Sequence, residues 1–139
     1  MTFEEIRQAI VGRMVSFTGI DQSRIDYPNQ PQRFTPPETG LWCRLSIQHG
    51  TSFFTGVGDK PCTRRPGNIV VQCFAYLQSG TKGLNQLTDS LVDHFQYWSS
   101  GKLECWEASQ IDIGSDASAG DTAGSGFYQI NVSIRFVAD

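Results

Sequence analysis

From Phe3 through Ile6, Ile10 and Met14 to Phe17, apolar residues recur at steps of three or four, which predicts a helix over residues 3–17. Thr2-Phe3-Glu4-Glu5 has capping-box spacing, a threonine cap with a glutamate three positions on. Gly19 is the expected stop. Residues 20–40 lose all periodicity and hold Pro28, Pro31, Pro36 and Pro37. Proline lacks the donor a ladder needs, so at most a short edge strand fits there.

Leu41 to His49 alternates: Leu41, Cys43, Leu45 and Ile47 share one side, Trp42, Arg44, Ser46 and Gln48 the other. Asn68 to Leu77 does the same, with Ile69, Val71, Cys73, Ala75 and Leu77 opposite Val70, Gln72, Phe74 and Tyr76. Ser79-Gly80-Thr81 reads as a turn and cap. Leu84, Leu87, Leu91, Phe95 and Trp98 then mark a second helix over about residues 82–98, stopped by Ser99-Ser100-Gly101. Lys102 to Ile113 is a third strand whose phase breaks at Glu107 and Ser109, the mark of a bulge. Residues 114–126 hold no large apolar side chain and read as a flexible loop. Tyr128, Ile130, Val132, Ile134 and Phe136 define the closing strand, Phe127 to Val137.

This order predicts a single α+β two-layer domain over residues 1–139, an antiparallel or mixed β-sheet of about four strands with two helices on one face. A chain of this length buries roughly two thirds of its unfolded surface, enough for its own core. Two helices leave the opposite sheet face uncovered. That face carries Trp42, Val70, Phe74, Tyr76 and Trp106 beside Arg44, Gln72, Gln129, Asn131 and Arg135, a mixture of aromatics, arginine and amides typical of protein interfaces. The competing expectation is that the proline-rich 20–40 segment folds over it.

Between the first two strands lies the loop Gly50 to Gly67, with Phe53-Phe54, Lys60, Arg64-Arg65 and a closing Pro66-Gly67. Loops this long in a compact domain are usually functional or mobile. We read it as a docking arm. Its Lys60, Arg64 and Arg65 suit an acidic patch on a neighbouring subunit better than DNA, because the chain is mildly acidic, at −3 from 11 basic and 14 acidic residues.

Little chemistry is legible. Neither histidine, His49 or His94, sits in a catalytic pattern, and no G-x-S-x-G or H-E-x-x-H motif occurs. Gly80-Thr81-Lys82-Gly83 lacks phosphate-loop spacing, and Asp112, Asp116 and Asp121 do not match a calcium loop. The four cysteines, Cys43, Cys62, Cys73 and Cys105, form no C-x-x-C pair, and Cys43 and Cys73 fall on buried strand phases. We expect reduced thiols, no catalytic residues, no metal and no cofactor. No apolar run is long enough for a membrane helix, and MTFEEIRQAI lacks the features of a signal peptide.

Phe34-Thr35-Pro36-Pro37, Trp42-Cys43-Arg44, Arg65-Pro66-Gly67, Val71-Gln72-Cys73-Phe74, Gly83 with the Leu87 to Phe95 segment, and Gly126-Phe127-Tyr128-Gln129 occur in order along nearly the whole chain. Together they resemble the tail-terminator-like proteins of long-tailed bacteriophages and prophages. The resemblance implies a structural virion protein and not an enzyme. It would form a ring, commonly a hexamer, that caps the tail tube, ends tube polymerisation and provides the head-joining surface. The implied partners are copies of itself, the major tail tube protein and head–tail connector proteins, with no membrane and with DNA passing through the lumen without specific binding. The implied location is the virion tail or neck, after assembly in the host bacterial cytoplasm. The alternatives are a head-side neck or connector completion protein and a small non-viral protein-binding domain. The interface residues are our own inference: Trp42, Arg44, Phe53, Phe54, Lys60, Arg64, Arg65, Phe74 and Tyr76.

Overall fold

The computed structural model describes residues 1–54, 56, 58, 63–115 and 126–139. Its elements in chain order are α1 (Phe3–Val15), β1 (Ile25–Asp26), β2 (Trp42–His49), β3 (Phe53–Phe54), β4 (Thr63–Tyr76), α2 (Lys82–Phe95), β5 (Ser99–Ser100), β6 (Leu103–Ser115) and β7 (Phe127–Ala138). The sheet has seven strands in the order β1-β2-β4-β7-β6-β5, with β3 paired to β4. β1 runs parallel to β2 and every other pairing is antiparallel.

The expected two-layer domain built on about four strands is therefore wrong. The sheet is six to seven strands wide, curls into a half-barrel and accounts for 43% of the chain in strand. β1 is the short edge strand that residues 20–40 leave room for, while β3 and β5, which the sequence reading omits, have two residues each, too few to show an alternation. Two register shifts in β6, between Cys105 and Ala108 and between Asp112 and Gly114, add the local bending that bulges bring to a twisted sheet.

The core follows from strand parity. Cys43 and Leu45 of β2, Ile69, Val71, Cys73 and Ala75 of β4, and Ile130, Val132, Ile134 and Phe136 of β7 are paired across the ladders and share one face. Ile6, Ile10 and Met14 of α1 and Leu84, Leu87, Leu91 and Phe95 of α2 pack into the same cluster. Thr88 is buried among them and donates to Gln110 Oε1 at 2.8 Å. Gln110 in turn donates to Asn85 Oδ1 at 3.0 Å, tying α2 to β6.

The capping box at α1 is complete: Thr2 N–H donates to Glu5 Oε1 at 3.0 Å and Glu5 N–H to Thr2 Oγ1 at 3.1 Å. The helix stops at Val15, before the expected 17, because the Ser16 hydroxyl donates to Arg13 O at 2.6 Å. Thr81 precedes α2, but its side chain makes no cap bond, contrary to expectation. α2 closes at Phe95, and Trp98, expected on its stripe, packs against the core from the connection that follows.

The 50–67 segment, expected as a loop throughout, is partly strand. Its described part continues the β2–β4 ladder outward: Gly50 N–H donates to Pro66 O at 2.9 Å, Phe53 pairs with Arg64 and Phe54 with Thr63. It is an antiparallel ribbon, and β4 starts at Thr63, well before the expected Asn68. Gly67 is required where this ribbon leaves the sheet. A Cβ there would lie 2.5 Å from both Gln48 O and Phe136 Cζ, so the cross-strand phenyl ring occupies the space a side chain would need. The expected loop at 114–126 falls mostly outside the described residues, though β6 extends into it as far as Ser115.

Candidate functional site

The structure divides the candidate interface residues into two groups. The first is an aromatic cluster on the sheet face away from the helices. Trp42 and Phe74, cross-strand partners, stack at 4.1 Å with 15° between their planes. Phe34 from the proline-rich segment lies 5.4 Å from Trp42, and Phe127 meets Trp42 edge-on at 5.4 Å. The Tyr76 hydroxyl donates to Pro37 O. Trp42 is left 3% exposed and Phe74 9%.

Trp42 and Phe74, expected on an open adhesive face, thus lie inside the chain's own packing, and Tyr76 is tethered to it. The proline-rich segment covers this end of the face because Phe34 and the Pro37 carbonyl complete what the sheet's aromatics need: apolar area for the rings and an acceptor for the phenol. Within this cluster the Trp42 indole Nε1 is buried without a partner among the described residues. Arg44 stays exposed beside the cluster. Its guanidinium lies 5.4 Å from the Trp42 ring and 5.7 Å from the Phe74 ring, and it bonds Asp26 of β1 at 2.9 Å.

The second group is the base of the ribbon. Phe53 is 48% exposed and Phe54 72%. Arg64 pairs with Asp139 at 2.7 Å, which raises the guanidinium's pKa and lowers that of the carboxyl, in each case mainly through the hydrogen bond between them. Arg65 lies 4.7 Å from the Phe3 ring and donates to Met1 O at 2.9 Å. Phe3 also meets His49 edge-on at 4.7 Å. Lys60 lies outside the described residues.

A third set of exposed residues lies on β6, where sequence reasoning expects Trp106 on the uncovered face but misses Ile111 and Ile113. Ile111 is 55% exposed, Ile113 54% and Trp106 39%. Leu103 and Cys105 face the core, so simple alternation would place Ile111 and Ile113 there too. The register shift between Cys105 and Ala108 reverses the phase, and Gln110 and Asp112 pair opposite Val132 and Ile130 instead. The break at Glu107 and Ser109 was the signal. Trp106 is covered in part by Arg135, 5.0 Å from its ring, which also bonds Glu107 at 3.3 Å. Along its outer edge, β6 pairs with β5 only through Leu103 and Glu104, and Ala108 N–H donates to Gln96 Oε1 at 3.0 Å. Among the described residues, no strand pairs with that edge from Ser109 to Gly114.

The titratable groups give little sign of catalytic chemistry. Burial raises the thiol pKa to about 12 at Cys43 and about 11 at Cys105, and well above the ordinary value at Cys73, so these are protonated, inert sulfurs. Cys62 lies outside the described residues. His94 Nε2 lies 2.7 Å from Arg13 O, and burial holds its pKa below the usual imidazole value. No group of three or more His, Cys, Asp or Glu side chains that could hold a metal ion is present among the described residues. A groove of ≈ 640 Å³ runs beside Ile25, Tyr27 and Phe34. Its Tyr27 phenol donates to Gln22 Oε1 at 2.6 Å, and its pKa is pushed up to about 12, first by burial.

No protein-family model matches this chain. No curated protein matches it in sequence. Among solved structures, one protein designated only by a reference number aligns over 100% of this chain and 96% of its own, with a TM-score of 0.68 and 18% identity. At that identity the likeness shows a shared fold.

Proposed function

We propose that this chain is a structural subunit of a long-tailed bacteriophage or prophage that acts by adhesion. It forms a ring, commonly a hexamer in proteins of this kind, on the end of the tail tube. The ring stops tube polymerisation and offers the surface that head-side connector proteins join. The observation that carries this reading is the placement of the exposed apolar side chains. Phe53 and Phe54 project on a ribbon beyond the core, and Ile111 and Ile113 flank a strand edge that pairs with no other strand among the described residues. Large exposed apolar groups beside an open edge are what a chain shows when it is finished by another chain. Two different patches on one subunit make contacts between unlike surfaces, and such contacts close into rings when the rotation between copies permits. The ordered resemblance to tail-terminator-like proteins supplies the tube as the second partner.

Deleting the gene from a phage that carries it tests this reading. Electron microscopy should show overlong tubes and no joined heads. Tails of normal length lying beside filled heads would instead make the chain a head-side completion protein, and normal virions would remove it from tail assembly altogether.

A further inference from the structure

The two exposed patches lie at opposite ends of the sheet, and they differ in charge. β7 sets the scale. Its Ala138 end pairs with Arg65, and Phe54 pairs with Thr63 beyond that level, whereas Ile111 pairs with Asn131 towards the other end. At the usual rise per residue the patches are about 30 Å apart along the strands, so they do not meet within one chain. Among the described residues the ribbon carries Arg64 and Arg65, and β6 from Ile111 to Gly114 carries Asp112 with no basic residue.

We propose that a second copy of this chain occupies each patch. Phe53, Phe54 and Arg64 of one subunit dock on Ile111, Asp112 and Ile113 at the β6 edge of the next. This rests on the ring reading above and names the contact that builds the ring. Phe54 covers Ile111 and Ile113, while Arg64, on the other face of the ribbon with its pairing partner Phe53, meets Asp112 on the other face of β6. The open edge of β6 offers unpaired backbone groups to the incoming ribbon. Asp139 holds Arg64 through two of its five donors, which fixes the guanidinium and leaves the remainder for a second carboxylate. Asp112 is exposed and is oriented by Gln110, whose Nε2 donates to its Oδ1 at 3.2 Å. The contact joins unlike ends, so each added copy presents a fresh arm and a fresh edge.

The test is a charge swap in the full chain, read by sedimentation at low and high salt. Arg64→Glu and Asp112→Arg should each weaken self-association about tenfold or more, and the double variant should recover most of the loss. The singles should melt like the parent, which separates lost docking from lost folding. High salt should weaken the parent and the double variant but affect the singles less. Singles that associate as well as the parent, a double variant as weak as either single, or a parent that does not self-associate at any accessible concentration would each overturn the contact. The ring reading fails separately, on tube length in the gene deletion.

Discussion

Arg13 and His94 each donate a side-chain hydrogen bond to the other's backbone carbonyl. The Arg13 guanidinium donates to His94 O at 2.7 Å and 3.1 Å, and His94 Nε2 lies 2.7 Å from Arg13 O, the only role open to it there being that of donor. Both residues sit in the last turn of their helices, where carbonyls lack intrahelical partners and the helix end favours positive charge. The pair joins α1 to α2, and Arg13 also lies 5.2 Å from the Trp98 ring.

Arg13→Ala should therefore destabilise the fold by about 2 kcal/mol, since it removes a charged donor from a half-buried carbonyl and uncovers Trp98. Arg13→Lys should restore only part of this, because an ammonium cannot make the forked contact. Urea denaturation of the three proteins checks both statements. An unchanged midpoint for Arg13→Ala would mean that the clasp contributes nothing.

Protonation of His94 should weaken the fold. Burial is the largest cause of its lowered pKa, with the nearby Arg13 charge acting in the same direction and the hydrogen bond to Arg13 O opposing them. A group whose folded pKa lies below its unfolded value of 6.5 stabilises the fold above that pH, and this contribution declines as pH falls from there through the folded pKa. The carboxylates Glu4, Glu5, Asp21 and Asp139 titrate in a more acidic range, each held below its ordinary value of 4.5 (Glu) or 3.8 (Asp). Thermal melts between about pH 7 and pH 5 should thus fall in the parent and stay flatter in His94→Gln. Parallel curves would assign the dependence to another group.

Gly67→Ala should cost about 1–3 kcal/mol through overpacking, because its Cβ meets both a backbone oxygen and the Phe136 ring. Adding Phe136→Leu should relieve the ring contact and recover part of the loss, leaving the Gln48 O contact unrelieved. A double variant no better than the sum of the singles would show that the backbone contact alone sets the cost.

Trp42→Ala should act on folding, with a loss of about 3–5 kcal/mol. Trp42→Phe should be far milder, since the indole Nε1 has no partner to lose. Stability by denaturant titration and self-association by sedimentation separate the two roles. A Trp42→Ala protein that melts normally but fails to associate would return this residue to the interface.

The thiols provide a check on the core. Cys43, Cys73 and Cys105 should react with a thiol reagent only as fast as the native fold opens, and should all label once it is unfolded. Fast labelling of Cys43 or Cys73 in the native protein would mean that the β2–β4 pair opens locally.

The long elements were legible in the sequence wherever one face of a regular period is buried. The stripe from Ile6 to Met14, the stripe from Leu84 to Phe95 and the alternation of β2, β4 and β7 all hold, because burial on one side imposes period 3.6 or period 2 on the residues themselves. Phe53, Phe54 and Arg64 were legible as an exposed group for the complementary reason: no period claims them.

Two kinds of feature were not legible. The pairings of β1, β3 and β5 were one, since no two-residue segment carries a pattern that names its neighbour. The fate of the aromatic residues was the other. Trp42, Phe74 and Tyr76 have the composition of an interface whether the cover is a partner or the chain's own Phe34 and Pro37, because a ring gains as much from either. Ile111 and Ile113 likewise read as core until the shift between Cys105 and Ala108 turns them outward. The order of residues along this chain thus settled which segments are helix and long strand, since that follows from local periodicity. Which strands adjoin, which apolar side chains remain in water, and at which end of the sheet each charge lies were decided by tertiary packing, because those depend on residues far apart in sequence competing for the same surface.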